Sequence, residues 1–317
     1  MTRAESTAAG GVAAGSVSLR RPRPRYGEAV IRGALFAAAL LSVATTVGIV
    51  VALIVPTVEF FAEVSVLDFL TGTEWAPLFA RPKFGVLPLL VGTLVVTVVA
   101  LIVAIPLGLG AATFLSEYAT DRVRRVLKPV LEVLAGIPTV VYGFFALTFV
   151  TPLLQDIWLF GDPPEGFNAL SAGIVMGIMI VPTVASLSED AMSAVPADLK
   201  AGGYALGSSK RQVATRVTFP AALSGIVAAI VLAISRAVGE TMIVLVAAGG
   251  TPNLSADPRE AMQTMTAFIG AAGIGDQPVG SIGYKTIFAV GSLLFVITLV
   301  MNAVSIRLVR KFREVYE

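Results

Sequence analysis

The stretch Pro196-Ala197-Asp198-Leu199-Lys200-Ala201-Gly202-Gly203-Tyr204-Ala205-Leu206-Gly207-Ser208-Ser209-Lys210-Arg211-Gln212 decides how the chain is read. Pro196-Ala197-Asp198 reads as a helix start with Asp198 as N-cap, because a carboxylate there accepts from the free amides of the first turn. Residues 199–206 make about two turns, and Gly207 suits the left-handed position that closes a helix. Ser209-Lys210-Arg211-Gln212 has the reciprocal spacing of a capping box and opens a second helix. Pro220 follows. The stretch predicts a helix–Gly turn–helix elbow over about 196–220; the competing reading is a solvated amphipathic loop.

The elbow leads into an apolar run, roughly Ala221 to Ala248, that contains Arg236 and Glu240. A charge at mid-bilayer costs about 2.5–3.5 kcal/mol on insertion scales, so it is seldom there without a partner or a task. Four residues apart, the two share a face of a continuous helix. Ala229, Ala233 and Ala237 fall nearby at four-residue spacing, as close helix packing needs.

Composition sets the class. The chain has 317 residues, 56% hydrophobic and 14% charged, with a mean hydropathy of +0.85; a soluble domain carries about 25% charged residues. It is read as an all-α polytopic membrane protein. With no Cys and no His, thiolate catalysis, disulfides, Cys/His metal sites and imidazole acid–base chemistry are excluded within it. Nothing points to a cofactor, a metal or nucleic acid. Six apolar runs are long enough to span a core of about 30 Å: 29–55, 86–115, 125–153, 168–188, 219–248 and 284–308. The first is expected to end at Pro56. Residues 1–27 read as a disordered basic tail, and 28–317 as the membrane domain. A signal peptide competes for the first run, but the run is too long for an h-region and has no clear small-residue cleavage site.

Charge sets orientation. Bases gather in the N-terminal tail (Arg20, Arg21, Arg23, Arg25, Arg32), around Arg122, Arg124, Arg125 and Lys128, in the elbow (Lys200, Lys210, Arg211, Arg216) and in the C-terminal tail (Arg307, Arg310, Lys311, Arg313). The opposite loops hold Arg81, Lys83, Arg259 and Lys285. The positive-inside rule then puts both termini in the cytoplasm. Glu132 falls near the inner interface, in a snorkelling or capping role. Glu260-Ala261-Met262-Gln263-Thr264-Met265-Thr266 is helical in pattern, either a part of an outer gate or a plain surface helix.

The elbow resembles the cytoplasmic loop of ABC-importer permeases, with Ala201-Gly202-Gly203, Gly207 and Val217-Thr218-Phe219-Pro220 in register; Ala201 stands where that loop carries an acid. Phe69-Leu70-Thr71-Gly72-Thr73-Glu74-Trp75, the Phe84–Leu94 segment, Pro106-Leu107-Gly108, Leu134-Ala135-Gly136-Ile137-Pro138-Thr139-Val140-Val141-Tyr142-Gly143 and Arg236-Ala237-Val238-Gly239-Glu240-Thr241 look like the permeases of bacterial phosphate-specific ABC importers, PstC type. The similarity covers roughly residues 30–313 and implies a type I permease fold in the bacterial plasma membrane. It implies partners too: a homologous second permease, two copies of a cytoplasmic ATPase, and an extracytoplasmic phosphate-binding protein. ATP hydrolysis would lie on the partner. This chain has no phosphate-binding G-x-x-x-x-G-K-[ST] run, and Gly283-Tyr284-Lys285-Thr286 is an accidental likeness.

On this resemblance Arg236 is expected to contact phosphate in transit, its planar guanidinium matching phosphate oxygens without deprotonating. Glu240 would neutralise it in the empty pathway; the alternative is a static ion pair that holds helices together. Gly203, Tyr204, Gly207, Lys210, Arg211 and Pro220 are expected to couple the elbow to the ATPase. Competing functions are a permease for another oxyanion, such as phosphonate or molybdate, an ion-driven secondary transporter or channel, and a membrane scaffold in phosphate signalling.

Overall fold

The computed structural model describes residues 26–79, 81–159 and 161–312. The expected N-terminal tail, up to residue 25, and residues 313–317 lie outside the described residues. The chain divides into two units, 1–51 and 52–317. As far as it is described, the first is the opening part of α1 (Tyr26–Glu63). This helix runs through Pro56 instead of ending there. In a bilayer, exposing several free backbone groups at a helix end costs more than the one hydrogen bond a proline removes.

The second unit continues from α1 into α2 (Val66–Thr71), a hairpin of β1 (Trp75–Ala76) and β2 (Lys83–Phe84), α3 (Leu87–Tyr118), α4 (Asp121–Ala135), α5 (Thr139–Ile157), α6 (Ala169–Ser193), α7 (Ala197–Ala205), α8 (Lys210–Ala221), α9 (Leu223–Val238), α10 (242–248), α11 (Met265–Gly273) and α12 (Ile282–Phe312). Among the described residues five helices are long and apolar enough to cross a membrane: α1, α3, α5, α6 and α12. A sixth span forms if α8 and α9, which meet at 72°, count as one. The expectation of about six spans is met.

The centre is the pair α3 and α6. Val96, Ala100 and Ala104 on α3 and Met176, Met179, Ile180 and Val184 on α6 are fully buried together. Lipid tails are as apolar as these side chains, so small residues that admit close backbone approach hold the pair. A Cβ on Gly173 would fall 2.6 Å from Val99 Cβ, and one on Gly177 would fall 2.7 Å from the carbonyl of Ala100. Asn168 caps α6 by accepting from the Ser171 amide at 2.7 Å. Ala229, Ala233 and Ala237 are buried, as their spacing required.

A second core lies at the hairpin end. Trp75 pairs with Phe84 across the hairpin and meets Phe268 edge-on at 4.9 Å, while Phe60 meets Phe69 edge-on at 5.7 Å. Edge-to-face packing puts the positive ring edge on the negative ring face. The hairpin adds a feature that the pattern of apolar runs does not contain.

Three further expectations change. The run 125–153 is not one span. It breaks at Gly136-Ile137-Pro138 because proline biases the residue before it away from helix. What precedes the break, α4, is a separate amphipathic helix with no buried residue, and it carries Glu132 on an exposed surface. The helical pattern of 260–266 holds only from Met265 onward. Before it the backbone is irregular, and Met262 N donates to Ala248 O at 2.9 Å. Met262 and Met265 are buried, so a plain surface helix is ruled out. Finally, α7 begins after Pro196, with no side-chain cap, and Asp198 lies inside its first turn.

Candidate functional site

The span that carries Arg236 is interrupted. Helix α9 ends at Val238, and Gly239-Glu240-Thr241 is non-helical before α10 begins. Arg236 and Glu240 therefore do not share a helix face, and their expected mutual neutralisation is absent. The Glu240 side chain turns forward: its Oε1 accepts from the amides of Met242 at 3.0 Å and Ile243 at 3.3 Å. Opening amides of a helix lack intrahelical partners and carry partial positive charge, so a carboxylate is favoured there. The Glu240 carbonyl in turn accepts from Thr266 Oγ1 at 2.6 Å. Glu240 is buried and acts as the clasp of the interruption. Gly143 on α5 completes the surroundings: a Cβ there would fall 3.1 Å from the carbonyl of Met242.

Arg236 is half-buried. Its contacts are soft and neutral: Nη1 donates to Thr183 Oγ1 at 3.3 Å, and Nη2 reaches Met179 Sδ at 3.7 Å, both on α6. Tyr142 on α5 is near enough to interact with it electrostatically. The ion pairs among the described residues leave Arg236 out. A guanidinium has five donors, and among the described residues Arg236 is seen to use only these two contacts, to Thr183 and Met179. Thr183, Met179 and Tyr142 escaped sequence reasoning because they come from other spans. The Tyr142-Gly143 pair, one turn past a Pro, was the available signal.

At the basic end of the molecule the elbow forms as its local chemistry dictates. Gly207 has φ +78°. Its amide donates to Tyr204 O at 2.9 Å, and the Ser208 amide donates to Gly203 O at 3.2 Å, the two bonds of a Schellman closure. The capping box is complete: Ser209 Oγ accepts from the Gln212 amide, and Gln212 Oε1 accepts from the Ser209 amide at 2.7 Å. Gly203 brings α7 onto α8, since a Cβ there would lie 3.1 Å from Val213 Cγ2. Tyr204 and Leu206 are exposed, as is Arg211. Lys210 Nζ sits 5.2 Å from the Tyr118 ring centre. Just past Pro220, at Ala222, the chain turns into α9 through the 72° bend, so the elbow does not enter its span in a straight line.

Ion pairs anchor this end. Lys200 Nζ donates to Glu117 at 2.7 Å, where the carboxylate is almost fully buried. Lys128 bridges Glu189 at 2.9 Å and Asp190 at 2.7 Å, and Arg124 donates to Leu115 O at 2.8 Å. The hydrogen bond to Asp190, then that to Glu189, holds the Lys128 ammonium above its usual pKa range. The apolar run 168–188 stops one residue short of Glu189; because α6 runs on to Ser193, Glu189 lies in the helix and is buried.

This combination of a paired-helix core, a broken span holding a cation and a capped elbow at the basic end is the architecture of a type I ABC-importer permease. The bacterial alginate ABC transporter, solved with its oligosaccharide-bound periplasmic protein, matches with a TM-score of 0.56 at 16% identity, covering 91% of this chain and 98% of that one. The inward-facing MetNI methionine transporter matches at 0.52 and 19%, covering 73% and 95%. The chain belongs to the family of binding-protein-dependent transport system inner membrane components, which it matches over residues 104–314. Among its relatives, the Probable ABC transporter permease protein YqgH of Bacillus subtilis is 37% identical over 88% of this chain and 89% of its own. The Phosphate transport system permease protein PstC of Mesorhizobium japonicum is 31% identical over 88% of each. PstC 1 of Mycobacterium tuberculosis is 37% identical over 77% and 82%.

Proposed function

We propose that this chain is a membrane subunit of an ATP-driven importer that moves inorganic phosphate into a bacterial cytoplasm, with both termini on the cytoplasmic side. The observation that carries the reading is Arg236: a permanent cation inside a span, held by a hydroxyl and a thioether. Phosphate must shed much of its hydration to cross a low-dielectric core, which is prohibitive for an unpaired ion. A guanidinium with open donors offers matched, charge-assisted contacts. Because its neighbours are weak acceptors, a passing anion displaces little when it binds and leaves a tolerable state when it departs. Glu240 serves the pathway through the backbone, by holding the interruption at 239–241 in shape. The phosphate permeases named among the relatives support the choice of anion.

In this reading a homologous second permease completes the pathway, and two copies of a cytoplasmic ATP-binding subunit drive it. An extracytoplasmic phosphate-binding protein delivers the anion. The elbow is the ATPase contact, with Tyr204, Lys210 and Arg211 at its surface, Gly203 and Gly207 setting its shape, and Pro220 at the bend into α9.

The test is uptake of labelled phosphate by the complex reconstituted in proteoliposomes, with phosphonate and molybdate as competitors. Arg236→Gln is expected to assemble normally and lose import by two orders of magnitude or more, the scale of about 3 kcal/mol or above in a buried charge contact. Unaltered import by an assembled Arg236→Gln complex overturns the pathway role. Equal competition by the other oxyanions overturns phosphate selectivity.

A further inference from the structure

We propose that Tyr142 is a second, switchable ligand of the transported anion: its phenol leaves the Leu134 carbonyl and donates to the oxyanion that Arg236 holds. This rests on the importer reading above, and it gives the joint between α4 and α5 a part in sensing whether the pathway is occupied.

Tyr142 lies on α5, past the break at Gly136-Ile137-Pro138. Its hydroxyl reaches back across the break and donates to Leu134 O, in the last turn of α4, at 2.9 Å. The backbone bonds of the joint stay on their own sides of it. The Gly136 amide donates to Glu132 O and Val133 O, the Ile137 amide to Leu134 O at 3.3 Å, and the Val141 amide to Pro138 O at 3.0 Å. The phenol is therefore a tie between α4 and α5. It is also a tie that can be given up. Carbonyls at a helix end need a partner, and Leu134 O keeps the Ile137 amide when the phenol departs. The bond is within reach of an ion, since Leu134 is exposed and Tyr142 half-buried.

The same residue borders the Arg236 site. Tyr142 packs against the buried cluster that includes Met179, Ala233 and Ala237, and Met179 is itself a contact of Arg236. Gly143, next in the chain, presses α5 onto the segment after the interruption: a Cβ there would fall 3.0 Å from Val246 Cβ. The phenol and the guanidinium interact through space. The other charges nearby are engaged or turned away. Glu240 accepts from the Met242 and Ile243 amides, Lys128 is taken by Glu189 and Asp190, and Glu132 is exposed on α4. The phenol itself is held by a neutral carbonyl. A hydrogen bond to an ionised acceptor is roughly twice as strong as one between neutral groups, so an oxyanion beside Arg236 outcompetes Leu134. A tetrahedral anion can give one oxygen to the guanidinium and another to the phenol. When it leaves, Leu134 takes the hydroxyl back and the tie across the break re-forms.

The experiment puts meta-fluorotyrosine in place of Tyr142 in the complete complex and follows its fluorine NMR signal during titration with inorganic phosphate. The titration is run without nucleotide, and again with the binding protein and a non-hydrolysable ATP analogue. The signal is expected to shift and saturate in at least one of the two states, and Arg236→Gln is expected to weaken that response about tenfold or more. Tyr142→Phe keeps the ring and removes the donor. It is expected to cut phosphate import about tenfold, as loss of a hydrogen bond to a charged group does, with the thermal midpoint of the complex unchanged. A purely structural tie would instead lower that midpoint and leave the fluorine signal blind to phosphate. If phosphate moves the signal in neither state while the wild type imports phosphate, the inference is wrong and the importer reading stands. It also fails if the shift survives Arg236→Gln undiminished, or if Tyr142→Phe imports as the wild type does. If the wild-type complex imports nothing, the importer reading fails, and the fluorine titration with and without Arg236→Gln decides by itself whether the two residues form one anion site.

Discussion

Replacing Gly207 tests whether the shape of the elbow carries the motor's signal. The residue holds φ +78° and no atom lies within 4 Å of where a Cβ would stand. The penalty for Gly207→Val is therefore backbone strain alone: about 1–2 kcal/mol for an L-residue in the left-handed region, at the upper end for a β-branched one. The chain escapes this by leaving that region, which breaks the Gly207–Tyr204 and Ser208–Gly203 hydrogen bonds. A shift of that size changes the population of the closed elbow by roughly 5–30-fold. Where only the closed form docks, the apparent dissociation constant of the ATPase rises by at most the same factor. Gly207→Asn is the control, because asparagine tolerates this conformation. Affinity of the ATPase for the reconstituted permease, and phosphate moved per ATP hydrolysed, are measured for wild type, Asn and Val. The expected order is wild type, then Asn close behind, then Val well below. If Val and Asn are indistinguishable from wild type in both, the left-handed closure has no part in coupling.

Three further substitutions follow from the packing. Glu117→Gln leaves the Lys200 ammonium without its counter-ion in a largely buried setting and is expected to cost about 1.5–3 kcal/mol; an unchanged thermal midpoint of the purified complex would show the pair to be incidental. Gly177→Ala drives a methyl against the Ala100 carbonyl and is expected to lose about 1–3 kcal/mol, whereas Gly202→Ala, with open space around it, should be silent; equal yields of folded protein by size-exclusion profile would contradict the tight α3–α6 seam. For Glu240, Gln keeps an acceptor for the Met242 and Ile243 amides and should preserve their protection from hydrogen exchange, while Leu should expose them; if Gln exchanges as fast as Leu, the charge matters and the clasp does not.

The spans could be read from the sequence because a bilayer demands runs of apolar residues, and the elbow because Gly207 and the Ser209–Gln212 box encode their turns within a few residues. What resisted reading depends on neighbours distant in the chain. Arg236 and Glu240 have helical spacing, yet the carboxylate is claimed by the amides of the next segment, so the helix ends between them. Glu189 looks like one more loop acid until α6 runs a turn further and Lys128 arrives from α4. The run from 125 to 153 is apolar enough to span, but Pro138 and the pull of Glu189 and Asp190 on Lys128 separate α4 from α5. Asp198 has the right chemistry to cap α7, but Pro196 already opens the helix. Around Arg236 the partners Thr183 and Met179 belong to another span, which no local pattern announces.

The bend at Ala222 has a mechanical consequence. From Leu223 to Arg236 helix α9 extends about 20 Å at 1.5 Å per residue. With that arm, a tilt of about 10° at the bend displaces the far end by about 3.5 Å, more than the margin between a hydrogen bond and no bond. In the proposed importer, modest rocking of α8 at the surface would thereby be amplified into a change of contact at the guanidinium. Such a corner would act as a crank, its gain set by the number of residues between Ala222 and Arg236.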